Sequence, residues 1–260
     1  MSVLLEAKSL SINFGGLKAV EDVDLKVSEG QIMSLIGPNG AGKTTFFNLV
    51  SGFLKPTRGS VLFNGQDITG KEPNEIAKLG LVRTFQKTNI FAEVSVEDSV
   101  KIGFNLHRHT GLLDILSHNS KMKSEMKDVA QRSEELLKFT GLYEWKEHLV
   151  KNIPYGKQRM LSVALALATE PKLLMLDEPA TGLNPVETKE LIEIIRKIRD
   201  LLKVTVFLIE HNMGLVVSIS DSLAVLCNGE KLTEGGPKEV ANDPRVIEAY
   251  LGRGYKEHVS

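Results

Sequence analysis

Apolar and polar positions change rhythm three times along the chain. From Leu4 to Val27 they interchange in short β-prone pieces broken at Gly15-Gly16, and Gln31 to Ile36 follows as a buried strand that runs straight into a glycine-rich loop. The spacing then predicts a helix from Lys43 to Ser51 stopped at Gly52, a strand from Gly59 to Phe63 closed by an Asn64-Gly65 turn, and a strand from Leu81 to Phe85. The first third is therefore β-rich. Between Val96 and Ala168 the period becomes helical, with Leu136, Leu137 and Phe139 and later Leu161, Leu165 and Leu167 at helical intervals, which marks a separate helical lobe. Lys172 to Leu176 and Val204 to Ile209 are short apolar runs on either side of a helix from Val186 to Leu202, the βαβ alternation of a parallel sheet. Leu223 to Cys227, an Asn228-Gly229 turn and Glu230 to Thr233 predict a hairpin, and Asp243 to Leu251 a last short helix. There is no internal repeat and no low-complexity segment.

Composition narrows the classes of function. The 260 residues are 42% hydrophobic and 25% charged, enough to bury a substantial core. Lys and Arg number 32 against 33 Asp and Glu, so the basic field that nucleic-acid binding needs is missing. The single cysteine, Cys227, excludes an internal disulfide and reads as a core residue. The N-terminus lacks a secretory pattern, and the longest apolar runs fall far short of the roughly 20 residues that span a bilayer, so a cytoplasmic location is expected.

Chemistry enters at Gly37, Pro38, Asn39, Gly40, Ala41, Gly42, Lys43, Thr44 and Thr45, which fit G-x-x-x-x-G-K-[ST] between a buried strand and a helix start. Glycines there let backbone N–H groups wrap phosphates while the helix N-terminus adds positive potential. Lys43 is placed to bridge the β- and γ-phosphates and the Thr44 hydroxyl to ligate Mg²⁺. A second metal-side acid is required, and Leu173 to Glu178 supplies an apolar strand ending in two carboxylates. Asp177 is expected to hold Mg²⁺ through water, and Glu178, facing another way, to polarise the attacking water as general base. With Glu178 intact, the pattern is that of a working ATP hydrolase.

Tyr155-Gly156-Lys157-Gln158-Arg159, shortly before the Asp177 strand, stands where ATP-binding cassette (ABC) proteins carry their signature, and the resemblance covers essentially the whole chain. It implies a P-loop NTPase fold of α/β class, with a RecA-like core at residues 1–86 and 166–235 that includes an antiparallel β-lobe, a helical lobe at 87–165 and a tail at 236–260. It also implies that Gln86 is the Q-loop glutamine at the metal and reaction centre, that Ala180 to Asn184 form the D-loop, that His211 is the switch histidine and that Phe14 stacks on adenine. Residues Pro154, Tyr155, Gly156 and Lys157 would contact nucleotide held by a second subunit. The chain departs from the family pattern in three ways that matter, two in the signature, which is Leu-Ser-Gly-Gly-Gln in the family and Ile153 to Lys157 here, and one in the D-loop. Pro154 removes the serine hydroxyl but suits the first turn of a helix, Lys157 places a cation where the family has glutamine, and Asn184 replaces the D-loop aspartate.

Within that family the phrase Gly80 to Gln86, the long segment after it and the C-terminal run Asn242 to Gly252 resemble the first-type ATPase of branched-chain amino acid importers. Related ATPases for urea, short amides or lipopolysaccharide export share much of this. The resemblance implies ATP and Mg²⁺ as ligands, transmembrane permease subunits and a second ATPase subunit, identical or paralogous, as partners, and an extracytoplasmic solute-binding protein indirectly. The chain would then sit on the inner face of the cell membrane. A soluble ABC protein of DNA repair or translation would need a coiled-coil insertion or a second cassette, and a P-loop kinase or small GTPase would need an acceptor site or a guanine-reading motif; the sequence carries none of these. The segment Asn105 to Glu125, with His107, His109 and His118, reads as a loop inserted in the helical lobe near the membrane partner rather than a metal site.

Overall fold

The computed structural model describes residues 2–84, 92–105 and 120–251, so Gln86 and the histidines at 107, 109 and 118 lie outside the described residues. The chain divides into two compact units: the first takes residues up to Arg83, Lys172–Thr181 and the chain from Ile195 on, and the second takes Thr84–Pro171 and Gly182–Ile194.

Two sheets make the first unit. β1 (Val3–Phe14) and β2 (Leu17–Ser28) pair antiparallel about the Gly15-Gly16 turn. They are joined by β4 (Arg58–Phe63) and β5 (Gln66–Asp67) in the order β2-β1-β4-β5. Where short pieces were expected, each of the first two strands runs for 12 residues. Bulges explain the difference, because register shifts beside Ser9 and Asp22, both at positive φ, interrupt the alternation without ending the strand. Val23, Leu25 and Val27 still turn inward at a period of two.

The second sheet has the order β10-β9-β3-β8-β7-β6. In its middle β3 (Ile32–Ile36), β7 (Leu173–Asp177) and β8 (Thr205–Ile209) are parallel and buried at every residue, as strands covered on both faces must be. β6 (Leu81–Arg83) extends it in parallel, and β9 (Ser222–Cys227) lies on the other side of β3, paired antiparallel with β10 (Glu230–Gly235). Cys227 is only partly buried at the end of β9, so the expectation of a core cysteine is corrected: the strand leaves the core there for the turn at Asn228. Helix α1 (Lys43–Val50) buries Phe46, Phe47, Leu49 and Val50 in a core shared with Met33, Met175 and Phe207. Phe47 and Phe207 have ring centroids 4.8 Å apart. Truncating an aromatic ring in such a core costs about 3–5 kcal/mol, so the start of α1 is held firmly in place.

The second unit is helical where described. α3 (Val96–Asn105), α4 (Ser120–Phe139) and α5 (Tyr155–Ala168) pack together, and Gly103 admits α5 so closely that a Cβ there would lie 2.8 Å from the Ala168 Cβ. The expected loop from 105 to 125 is corrected at its end, because α4 already begins at Ser120. Several short helices escaped the periodicity: α2 (Pro73–Lys78), α7 (Met213–Ile219) and α8 (Pro237–Ala241). None exceeds two turns, too few for a 3.6 period to show. α6 (Pro185–Asp200) and α9 (Pro244–Leu251) match the spacing to within two residues. Among the described residues no helix is long and apolar enough to cross a membrane.

Candidate active site

The site gathers at the C-terminal ends of β3, β7 and β8, where a parallel sheet presents its loops. A cleft of about 480 Å³ is lined by Phe14, Leu17, Lys18 and Ala19 from the first hairpin, by residues 39–45, by Glu178 and by Asn228. Phe14 is 48% exposed, which is what a ring offering one face to a planar ligand requires. Two glycines of the loop cannot be replaced: a Cβ on Gly37 would fall 2.1 Å from the Leu226 carbonyl oxygen, and one on Gly42, at φ 99, would fall 2.4 Å from that of Ala19.

Lys43 folds back beneath its own loop, its Nζ donating to the carbonyls of Gly37 at 2.7 Å and Pro38 at 2.9 Å. Burial holds this ammonium below the usual lysine value, while the carboxylates of Glu178 and Asp177 pull it back up. Asp177 ends β7 and receives Arg83 Nη2 on its Oδ2 at 2.5 Å. Both side chains are about nine-tenths buried, and Arg83 Nη1 also donates to Asn48 Oδ1 and Ser51 Oγ on and after α1. This buried pair ties β6, β7 and α1 together. The next residue, Glu178, stands at φ 45, a left-handed conformation that costs a non-glycine residue about 1 kcal/mol or more and turns its side chain into the cleft.

His211 follows β8, exposed, and does not line the cleft. The residue before it does more in the structure: Glu210, almost fully buried, accepts the Ala180 N–H on Oε1 at 2.8 Å and the His211 N–H on Oε2 at 3.3 Å. Burial pushes the Glu210 carboxyl above the usual range, partly countered by those two backbone donors. Its carboxylate thus fastens the loop after Glu178 to the loop carrying His211.

The ABC transporter family model matches residues 20–181, and a second model, described as branched-chain amino acid ATP-binding cassette transporter, matches residues 230–256. The chain is 43% identical over 249 residues to the high-affinity branched-chain amino acid transport ATP-binding protein LivG of Escherichia coli K12, covering 96% of this chain and 98% of that one. It is 42% identical, with the same coverage, to BraF of Pseudomonas aeruginosa, which bears the same description. Among solved structures it resembles the ADP conformation of MJ1267, an ATP-binding cassette of an ABC transporter, with a TM-score of 0.83, 30% identity and coverage of 97% and 100% of the two chains. The chain belongs to the ABC transporter family of ATPases.

In the second unit of this ABC ATPase, Pro154 is the residue before α5 rather than in its first turn, because its extended ψ of 151° starts the helix at Tyr155. No side chain caps that N-terminus. Tyr155 is 49% exposed, and its hydroxyl accepts the Arg159 Nε at 3.0 Å. Gly156 faces Glu187, whose Oε1 would lie 2.4 Å from an added Cβ, and Lys157 Nζ meets Glu190 Oε2 at 3.0 Å. The departure at Lys157 is thus answered within the chain by a carboxylate on α6. The departure at Asn184 has a local reason too: its Oδ1 accepts the N–H groups of Val186 and Glu187 while Glu187 Oε2 accepts its own N–H, a capping box that asparagine closes as well as aspartate.

Arg83, Glu210, Leu17 and Asn228 were missed as site residues by sequence reasoning. Glu210 carried a usable signal, since it follows the apolar run Val206 to Ile209 as Asp177 follows Leu173 to Leu176.

Proposed function

We propose that this chain is the ATP-hydrolysing subunit of an importer of branched-chain amino acids. The observation that carries it is the single cleft in which Phe14, the loop 39–45 and Glu178 meet. Adenine stacks on Phe14, with Leu17 beside it, and the loop takes the triphosphate. Phosphate oxygens draw the Lys43 ammonium from the Gly37 and Pro38 carbonyls, a neutral pair of acceptors for a far stronger anionic one. The Thr44 hydroxyl, Asp177 through water and Gln86 would hold Mg²⁺, an oxygen donor set that suits this ion, which when bound neutralises charge on the phosphates. With Asp177 Oδ2 committed to Arg83, Oδ1 is the oxygen left for that water. Glu178 orients the attacking water and accepts its proton, and His211 closes on the γ-phosphate from the neighbouring strand end.

Two such subunits, identical or paralogous, would pair head to tail, each offering residues 154–157 to the nucleotide on the other. The second unit and the segment containing Gln86 would pass closure to permease subunits at the inner face of the membrane, fed by a solute-binding protein outside. The descriptions of LivG and BraF support branched-chain amino acids as cargo. Reconstitution with permease subunits and a solute-binding protein of a branched-chain amino acid importer, in liposomes containing ATP, tests this. Leucine uptake is expected to require ATP and to vanish with Glu178→Gln. Uptake of urea or a short amide in place of leucine would overturn the cargo, and no ATP hydrolysis by the assembled complex would overturn the enzyme assignment.

A further inference from the structure

Gly37 is the first residue past the end of β3, whose pairing with β9 stops at Ile36 opposite Val225. Its N–H donates to the hydroxyl of Tyr250 at 2.8 Å, 213 positions away in the sequence. Its C=O accepts Lys43 Nζ. One glycine is therefore gripped on one side by the C-terminal helix and on the other by the lysine of the phosphate loop. The close approach to Leu226 leaves it no room to shift toward β9.

The helix that carries Tyr250 is firmly founded. At its start Asp243 accepts the Arg245 N–H on its carboxylate and the Val246 and Ile247 N–H groups on its carbonyl. Val246, one turn before Tyr250 on the same face, is 1% exposed, whereas Ile247 points outward at 43%. Burial raises the phenol above its usual value, so it stays a neutral acceptor at working pH. This helix lies within the stretch matched by the second family model, outside the match to the general cassette.

We propose that Tyr250 is a positioning residue of the nucleotide site, acting through Gly37 to hold the phosphate loop in the shape that receives the β- and γ-phosphates. The inference rests on the reading of residues 37–45 as the ATP loop. Removing the hydroxyl leaves the Gly37 N–H without this acceptor, and the loop must be reordered each time ATP binds. The cost falls on ATP affinity, not on the chemical step, because Glu178 and Asp177 stand on a different strand.

Tyr250→Phe in the full chain keeps the ring and deletes only the acceptor. Its MgATP Kd by titration calorimetry, and its KM in the assembled complex, are expected to rise about threefold to tenfold, the range for one lost hydrogen bond, with kcat at saturating ATP within about twofold of the parent. Hydrogen exchange at the Gly37 amide should quicken without nucleotide, while the melting temperature moves by no more than about 3 °C. Ile247→Ala, on the outer face of the same helix, should leave the Kd unchanged. The proposal is overturned if Tyr250→Phe binds ATP like the parent, if it lowers kcat and leaves KM alone, or if Ile247→Ala weakens ATP equally, which would make the helix and not the hydroxyl responsible. A parent chain that binds no ATP would instead overturn the assignment of the loop.

Discussion

The phosphate loop leaves a strand buried on both faces and enters a helix nailed down by Phe46 and Phe47, while residues 153–157 enter their helix through an uncapped proline with a half-exposed tyrosine beside it. One segment is shaped by its own core, and its glycines at 37 and 42 are forced by backbone oxygens 2.1 and 2.4 Å from any added carbon. The other presents mainly a helix terminus, whose positive end survives the change of serine to proline because a macrodipole does not depend on the side chain there. The contrast explains why one motif is intact and the other has drifted. Backbone atoms crowd the two loop glycines, whereas a helix terminus offers its dipole whatever side chain stands at Pro154.

Substitutions on the core-shaped side should be costly. Arg83→Met leaves Asp177 buried without its partner and is expected to lower stability by about 3–5 kcal/mol in urea titration. A loss under 1 kcal/mol would show that the pair is not structural. Glu178→Gln should keep the ATP Kd within about threefold and slow phosphate release at least a hundredfold, since the water loses its base while the cradle is untouched. Equal turnover would remove Glu178 from the mechanism.

Glu210 sharpens the comparison through pH. Its folded-state carboxyl titrates above the free value of 4.5, so the native state holds a proton that the unfolded state has already released. The stability it contributes is full below that value and is lost as pH rises through the folded-state value. Glu210→Gln should flatten the stability profile across that window, and urea titrations of both proteins from about pH 4.5 upward measure it. An unaltered slope would mean that the carboxyl is better solvated than its burial indicates. Phe14→Ala should weaken ATP by on the order of 1 kcal/mol without changing kcat; an unchanged Kd would make the ring a spectator. On the signature side, Pro154→Ser should raise stability by less than about 1 kcal/mol, the worth of one N-cap, and preserve ATPase activity in the assembled complex. A large loss there would show that proline itself shapes the contact. Gly156→Asp is not a clean probe, because the new carboxylate would strike Glu187 of its own chain.

The strand, loop and helix around residues 31–51 could be read from the sequence because their cause is local: an apolar run, glycines and a helix start lie side by side. The same holds for Asp177 and Glu178 at the end of an apolar strand. Arg83 could not be read, since its role depends on the register of β6 against β7, which sets it opposite Met175 and within reach of Asp177 across 94 positions of sequence. Glu210 grips a backbone N–H 30 positions away, a partner that no periodicity reveals. Tyr250 stood in a stretch read as a helix and as a mark of the subfamily, with no site residue in it; its contact with the phosphate loop is a matter of topology.

The turn at Gly229 joins three distant stretches: its N–H donates to the Ala41 carbonyl at 3.1 Å and its carbonyl accepts the Glu21 N–H at 2.8 Å. At the other end of β9, the backbone N–H of Ile32 donates to the Asp221 carboxylate across 189 positions. During synthesis, β3 leaves the ribosome long before the strand that must lie next to it, so the phosphate loop waits in an open, aggregation-exposed state until the last fifth of the polypeptide arrives. A nascent chain stalled before that turn would carry the whole motif and still lack the cleft. ATP competence is thereby expected to come late in biogenesis, and a prematurely terminated subunit to hold no nucleotide.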